Sequence, residues 1–243
     1  VRVVGADPAR FRVVLEAATF DAAPYTDSPS LEGWGRGIGA PPLPRRALEK
    51  EPGDDASQPA PFPQPYVLSV QAAIEPRKNI PRLIEAFAQA RRAHPALRLV
   101  VAGGPGADEP VVRAAVARHD LAAAVDFPGV LPERLLQASY RGALALAYPS
   151  LYEGFGLPLL EAMSVGTPVI AARVSSLPEV AGDAALLVDP FDVDVLAGAL
   201  EQVAGDAALR ADLAARGYRR VRRFSWERAA QETLAVYREA LGE

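Results

Sequence analysis

The sequence has no cysteine and only two histidines, His94 and His119. Disulfides and thiolate metal sites are excluded on that ground. Both histidines lie in polar, helix-like stretches away from any glycine-rich loop, which argues against a histidine-based metal site or a Ser-His-Asp triad. Basic charge is not in excess: 26 Lys and Arg stand against 30 Asp and Glu, a net charge of −4. A nucleic-acid groove needs clustered cations. The one basic run, Arg216, Arg219, Arg220, Arg222 and Arg223, reads as a solvated helix face. No apolar run approaches the roughly 18 residues that a membrane span needs. No segment has the charged-then-apolar form of a signal peptide. The expectation is a cytoplasmic protein with no nucleic-acid partner, no membrane span and no bound metal.

Half of the 243 residues are hydrophobic, ample for a core that buries roughly 70% of the unfolded surface. Proline and glycine are unevenly placed and divide the chain into residues 1–65 and 66–243. The first part carries short ordered stretches, a strand around Val1–Val4 and a helix over Arg10–Ala18. A Pro/Gly-rich segment over 24–65 follows, with no sustained hydrophobic period and too little apolar surface to offset its ordering entropy. From Tyr66 onward strands and helices alternate. Strands are expected at Tyr66–Val70, Leu97–Ala102, Val125–Phe127, Ala143–Tyr148, Pro168–Ala172 and Ala185–Val188. Helices are expected at Ile80–Ala93, Val111–Arg118, Glu133–Ser139, Leu157–Ser164, Val193–Val203, Ala207–Arg223 and Trp226–Leu241. This alternation implies βαβ units, hence an α/β fold with a Rossmann-like, doubly wound parallel sheet. Ligands bind such sheets outside the carboxyl ends of the strands, so the informative residues should lie just after strands.

The segment Tyr148-Pro-Ser-Leu-Tyr-Glu153-Gly154-Phe155-Gly156-Leu157-Pro158-Leu-Leu-Glu161-Ala162-Met163 sits in such a place, after a buried strand and at the start of a helix. Gly154 and Gly156 let the backbone come close to a ligand. The helix that begins at Leu157 offers N–H groups and the positive end of its dipole, which suits a phosphate. Glu153 in the loop and Glu161 one turn into the helix are two carboxylates able to accept from paired hydroxyls. Together they fit a ligand that combines phosphate with diols.

This segment, with Gly166-Thr167-Pro168-Val169-Ile170 after it, resembles the E-x7-E signature of the retaining glycosyltransferases of family 4 (group 1). Glu75-Pro76-Arg77-Lys78-Asn79, Ser175-Ser-Leu-Pro178-Glu179-Val-Ala-Gly182-Asp183 and Phe224-Ser225-Trp226 agree with it, and the resemblance covers about 66–241. It implies the C-terminal half of a GT-B fold, in which two Rossmann-like domains face each other across a cleft and the donor binds mainly to the C-terminal one. It further implies that Glu161 accepts from the ribose hydroxyls of the nucleotide and that Glu153 holds hydroxyls of the transferred sugar. Gly154, Phe155, Gly156 and Leu157 would line the sugar and distal phosphate, Arg77 and Lys78 would bind the diphosphate, and Val130 and Leu131 would form the base-binding edge. Neutralisation of the leaving diphosphate by cations and a helix dipole needs no metal or other cofactor.

The resemblance points to transfer of a hexose from a nucleotide diphospho-sugar to a glycan or lipid-linked acceptor. Mannose from GDP-mannose comes first, with UDP-, dTDP- and ADP-sugars left open. Two departures stand out. The family has a glycine where Gln71 or Ala72 falls, and residues 13–65 match nothing in the family. A facing acceptor-binding domain is therefore expected as a separate requirement, and these residues alone are expected to bind donor without efficient transfer. Two other readings remain beside this one: a non-catalytic nucleotide-sugar-binding module, and a GT-B-like epimerase whose acid and base the two histidines are badly placed to supply.

Overall fold

A computed structural model describes residues 60–241. The strand at Val1–Val4, the helix at Arg10–Ala18 and the irregular segment up to residue 59 lie outside the described residues. The elements are β1 Tyr66–Ala73, a 3-10 turn Pro76–Lys78, α1 Ile80–Ala93, β2 Arg98–Gly104, α2 Glu109–Arg118, β3 Val125–Gly129 and α3 Glu133–Gly142. They continue as β4 Ala145–Tyr148, α4 Leu157–Ser164, β5 Val169–Ala172, α5 Leu177–Ala181, β6 Ala185–Val188, α6 Val193–Gly205, α7 Ala207–Val221 and α8 Trp226–Leu241.

The six strands form one sheet in the order β3-β2-β1-β4-β5-β6, with every neighbouring pair parallel. This is the doubly wound arrangement that the strand–helix alternation implied. The chain winds outward from β1 to β3, then crosses back beside β1 to lay down β4. The carboxyl ends of β1 and β4 therefore lie side by side at the reversal.

Alternate strand residues face opposite layers, and the core divides accordingly. On one face Val67, Leu99, Val101, Ala145, Ala147 and Ile170 pack against α1, α2 and α6. In α1 the buried residues Ile80, Leu83, Ile84, Phe87 and Ala90 follow the helical period that places one stripe against the sheet. On the other face Tyr66, Leu68, Val100, Leu146, Val169 and Ala171 pack against Tyr140 of α3, Leu159, Leu160 and Met163 of α4, and Leu177 and Val180 of α5. Helix α7 lies over α4 and approaches it closely at Gly217, where a Cβ would stand 3.1 Å from Met163 Cγ.

Several element ends shift by one to three residues from the sequence reading, and some differences go further. Packing begins ahead of β1, since Ala60 and Phe62 join the second core layer and Phe62 meets Tyr66 edge-on at 5.7 Å. Strand β1 runs on to Ala73 through a register shift after Val70. Helix α5 was not expected, because five residues are too few to display a helical period.

Of the two positions at which the family's glycine falls, Gln71 is buried and Ala72 exposed, and the space for Gln71 is made from the neighbouring strand. Gly103 of β2 has φ +151, and a Cβ there would collide with the Gln71 carbonyl oxygen and stand 3.0 Å from its Cγ. Gly103→Ala is therefore expected to destabilise the domain by about 1–3 kcal/mol through overpacking, read as a lower urea midpoint at unchanged m value.

Candidate functional site

The loops that follow β1 and β4 meet at the reversal of the sheet, and their side chains and backbones interlock. The first is Glu75–Asn79, whose 3-10 turn ends at Asn79 in the left-handed conformation, φ 59°. The second is Pro149–Gly156. The Leu151 N–H donates to the Arg77 carbonyl at 2.7 Å. The Asn79 side-chain amide donates to the carbonyls of Pro149 at 3.1 Å and Pro190 at 2.7 Å, and its oxygen accepts from Arg82 at 2.9 Å. One side chain thus ties together the ends of β1, β4 and β6.

This scaffold brings Arg77, Lys78 and Glu153 into one cluster. Lys78 Nζ donates to Glu153 Oε1 at 2.6 Å and to the Tyr148 hydroxyl at 3.1 Å. Arg77 donates through Nη1 to Glu153 Oε2 at 3.2 Å and through Nε to Glu75 Oε2 at 2.8 Å. Lys78 is 6% exposed and Glu153 9%, whereas the Arg77 side chain is 45% exposed. The pair has an inner cation and an outer one. Burial pushes the Glu153 carboxyl up, but hydrogen bonds from Lys78, Ser150 and Tyr148 and the Lys78 charge outweigh it and hold the carboxyl below its ordinary value. Burial and the neighbouring Glu153 push the Tyr148 hydroxyl well up, so it stays a neutral partner.

The two carboxylates of the motif have different partners. Glu161, on α4, accepts from the Tyr140 hydroxyl at 2.8 Å. Burial and the Glu161 charge raise the Tyr140 pKa far above its usual range. Between the carboxylates run Gly154, Phe155, Gly156 and Leu157. Gly156 is the N-cap of α4 at φ 111°, and a Cβ there would stand 2.7 Å from Leu177 Cδ2. Gly154 is exposed with open space around a notional Cβ, so the steric demand for glycine falls on Gly156 alone. The Phe155 ring belongs to the core and meets Phe224 edge-on at 6.1 Å, which leaves its backbone on the loop. No side chain caps the first turn of α4. After β3, Val130 is 74% exposed while Leu131 packs on the second core layer.

Sequence reasoning missed the groups that hold the loop in place. Ser175, itself at φ 51°, accepts from the Glu153 N–H at 3.1 Å. Ser176 donates to the carbonyls of Glu153 at 3.1 Å and Phe155 at 2.7 Å. Their signal was the position of Ser175-Ser176 after β5, the strand beside β4 in a doubly wound order. Tyr140 and Tyr148 gave no such signal, because their hydroxyls find partners only through tertiary packing.

Residues 53–220 match the model of the family described as glycosyl transferases group 1. The chain belongs to the glycosyl transferases group 1 family. It is 38% identical over 179 residues to O-antigen chain mannosyltransferase B of Escherichia coli, covering 72% of this chain and 46% of that protein. It is also 38% identical over 245 residues to D-inositol 3-phosphate glycosyltransferase of Rhodococcus erythropolis, covering 97% of this chain and 50% of the relative. Among solved structures it superposes on sucrose-phosphate synthase of Thermosynechococcus elongatus with a TM-score of 0.66 at 34% identity, over 76% of this chain and 47% of that one. The chain thus spans about half the length of the relatives it matches. The Rossmann-like sheet is that of the C-terminal domain of a group 1, GT-B-fold glycosyltransferase. Among the described residues no helix is long and apolar enough to cross a membrane.

The Glu153 environment makes stability depend on pH. A carboxyl held below its unfolded value stabilises the fold above that value and loses the contribution as pH falls through the lowered one. Unfolding free energy measured in urea should therefore fall as pH drops below the ordinary glutamate value of 4.5. Part of that fall should vanish in Glu153→Gln.

Proposed function

We propose that this chain is the donor-binding half of a retaining glycosyltransferase that takes a hexose from a nucleotide diphospho-sugar to a glycan or lipid-linked acceptor. The observation that carries the reading is the Arg77–Lys78–Glu153 cluster beside the uncapped start of α4, at the reversal between β1 and β4. Doubly wound sheets bind ligands at that crevice. A diphosphate there meets one inner and one outer cation and the positive end of a helix dipole. These groups stabilise the charge that develops on the leaving nucleoside diphosphate, so the reading requires no metal.

The remaining roles follow outward from the phosphates. Glu153, Gly154 and the backbone of Phe155 to Leu157 face the transferred sugar. Glu161, anchored by Tyr140, accepts from the ribose. Val130, exposed on the loop after β3 and next to Gly104, gives the base an apolar contact, with Leu131 behind it. Retention follows from attack on the face from which the diphosphate departs, with a diphosphate oxygen taking the proton of the acceptor hydroxyl. The facing acceptor domain supplies that hydroxyl and shields the site from water. GDP-mannose is the first donor to test. Its support is the Glu75–Asn79 and Ser175–Val180 strings, which resemble those of mannosyltransferases of polysaccharide assembly, together with the similarity to an O-antigen chain mannosyltransferase; UDP-, dTDP- and ADP-sugars follow as the other donors to test.

Glu161→Gln tests the ribose role cleanly, since glutamine still accepts from Tyr140 and only the charge is lost. Calorimetry should show GDP and GDP-mannose weakened alike, by about 1.5–3 kcal/mol, the size of a hydrogen bond to a charged group. Unchanged GDP affinity would remove Glu161 from the nucleotide site. The same titration in excess chelator should give the same affinity for wild-type protein; loss of binding would show that a metal bridges the diphosphate.

A further inference from the structure

The cations assigned to the diphosphate already hold a negative charge. Glu153 engages both, Lys78 at 2.6 Å and Arg77 at 3.2 Å. Arg77 has a second carboxylate, Glu75, at 2.8 Å, and Lys78 uses a further donor on Tyr148. Lys78 and Glu153 are both nearly buried, where the screening that weakens surface pairs is largely lost. A diphosphate that pairs with Lys78 and Arg77 must therefore take donors that Glu153 holds and come within a few ångströms of its charge. The loop that carries Glu153 is fixed through its backbone, by Ser175 and Ser176, while the carboxylate is held by its ion and hydrogen-bond partners. The side chain can change partners without unlatching the loop.

We infer that Glu153 is the built-in competitor of the diphosphate: it neutralises Lys78 and Arg77 as the resident anion, and donor phosphate displaces it toward the sugar hydroxyls. This rests on the reading of the cluster as a diphosphate cradle. The exchange couples two halves of one ligand. A free nucleoside diphosphate has to expel Glu153 and gives it no new partner. A diphospho-sugar expels it and supplies hydroxyls that it accepts from. The site thereby discriminates against its own nucleotide product in favour of the intact donor, with the charge of Glu153 as the discriminating element.

The test is titration of the full chain, wild type, Glu153→Gln and Arg77→Ala, with GDP and GDP-mannose and with UDP and UDP-glucose, thermal unfolding being followed in parallel. Glu153→Gln should bind the free nucleoside diphosphate more tightly, about tenfold, because a like charge beside the phosphates is gone. The advantage of the intact donor over free diphosphate should shrink. Arg77→Ala should weaken every ligand. If Arg77→Ala weakens binding while Glu153→Gln leaves the free diphosphate unchanged or weaker, Glu153 orders the cations and does not compete, and the inference fails with the cradle intact. If Arg77→Ala changes nothing, or neither nucleotide binds the wild type, the cradle reading fails and takes the inference with it. Should Glu153→Gln not fold, a crystal structure of the wild type with GDP or UDP decides. The carboxylate is expected beyond about 4 Å from Lys78 Nζ, outside ion-pair range; a carboxylate still paired with Lys78 beside bound diphosphate would overturn the inference.

Discussion

The site follows from the reversal of winding between β1 and β4. Because β4 returns to pair with β1, two loops far apart in sequence leave the sheet side by side, and neither is closed by a neighbouring crossover. The 3-10 turn after β1 supplies the cations and the glycine-flanked loop after β4 supplies the carboxylate and a helix start. Their union is local to this one edge-to-edge contact. The hydrogen bond from Leu151 N–H to the Arg77 carbonyl then fixes the backbone distance over which Lys78 and Glu153 reach each other.

That distance has an energetic consequence. A buried ion pair adds little net stability over an apolar pair, but loss of one partner strands a charge, at a cost of about 3–5 kcal/mol. Lys78 and Glu153 therefore hold each other as a unit, and Tyr148 and Ser150 complete the shell around the carboxylate. A phosphate group is among the few incoming partners able to replace a carboxylate on such a cation without stranding it. The cluster is paired internally, so any incoming anion has to take over that pairing.

Much of this was legible in the sequence because a parallel sheet buried on both faces leaves near-continuous apolar runs, such as Leu99–Ala102 and Val169–Ala172, punctuated by glycine and proline. The motif residues lie where strands end, and the resemblance to the family assigned Arg77, Lys78 and Glu153 to one donor site. What the spacing could not show was partition. Glu153 and Glu161 stand eight positions apart on one loop and helix, yet one turns to a lysine and the other to a tyrosine, because α3 places Tyr140 under α4. The Phe155 ring goes to the core because Phe224 from beyond α7 offers it an aromatic edge, which leaves the Phe155 backbone on the loop. Ser175 and Ser176 act on backbone atoms of a loop more than twenty residues earlier, a relation that only the sheet order creates.

Asn79 performs the other half of the assembly with a neutral group. Its amide donates to two carbonyls and accepts from Arg82, joining three strand ends without any formal charge of its own on the contact. Salt screens ions far more than it screens such buried dipoles. The Asn79 joint is neutral and does not titrate, whereas the ion cluster it frames answers to acidity through Glu153. A carboxylate of the same shape at position 79 would turn a donor into an acceptor facing two carbonyl oxygens. The charged chemistry of the cluster is for that reason kept out of the joint that holds the two loops in register.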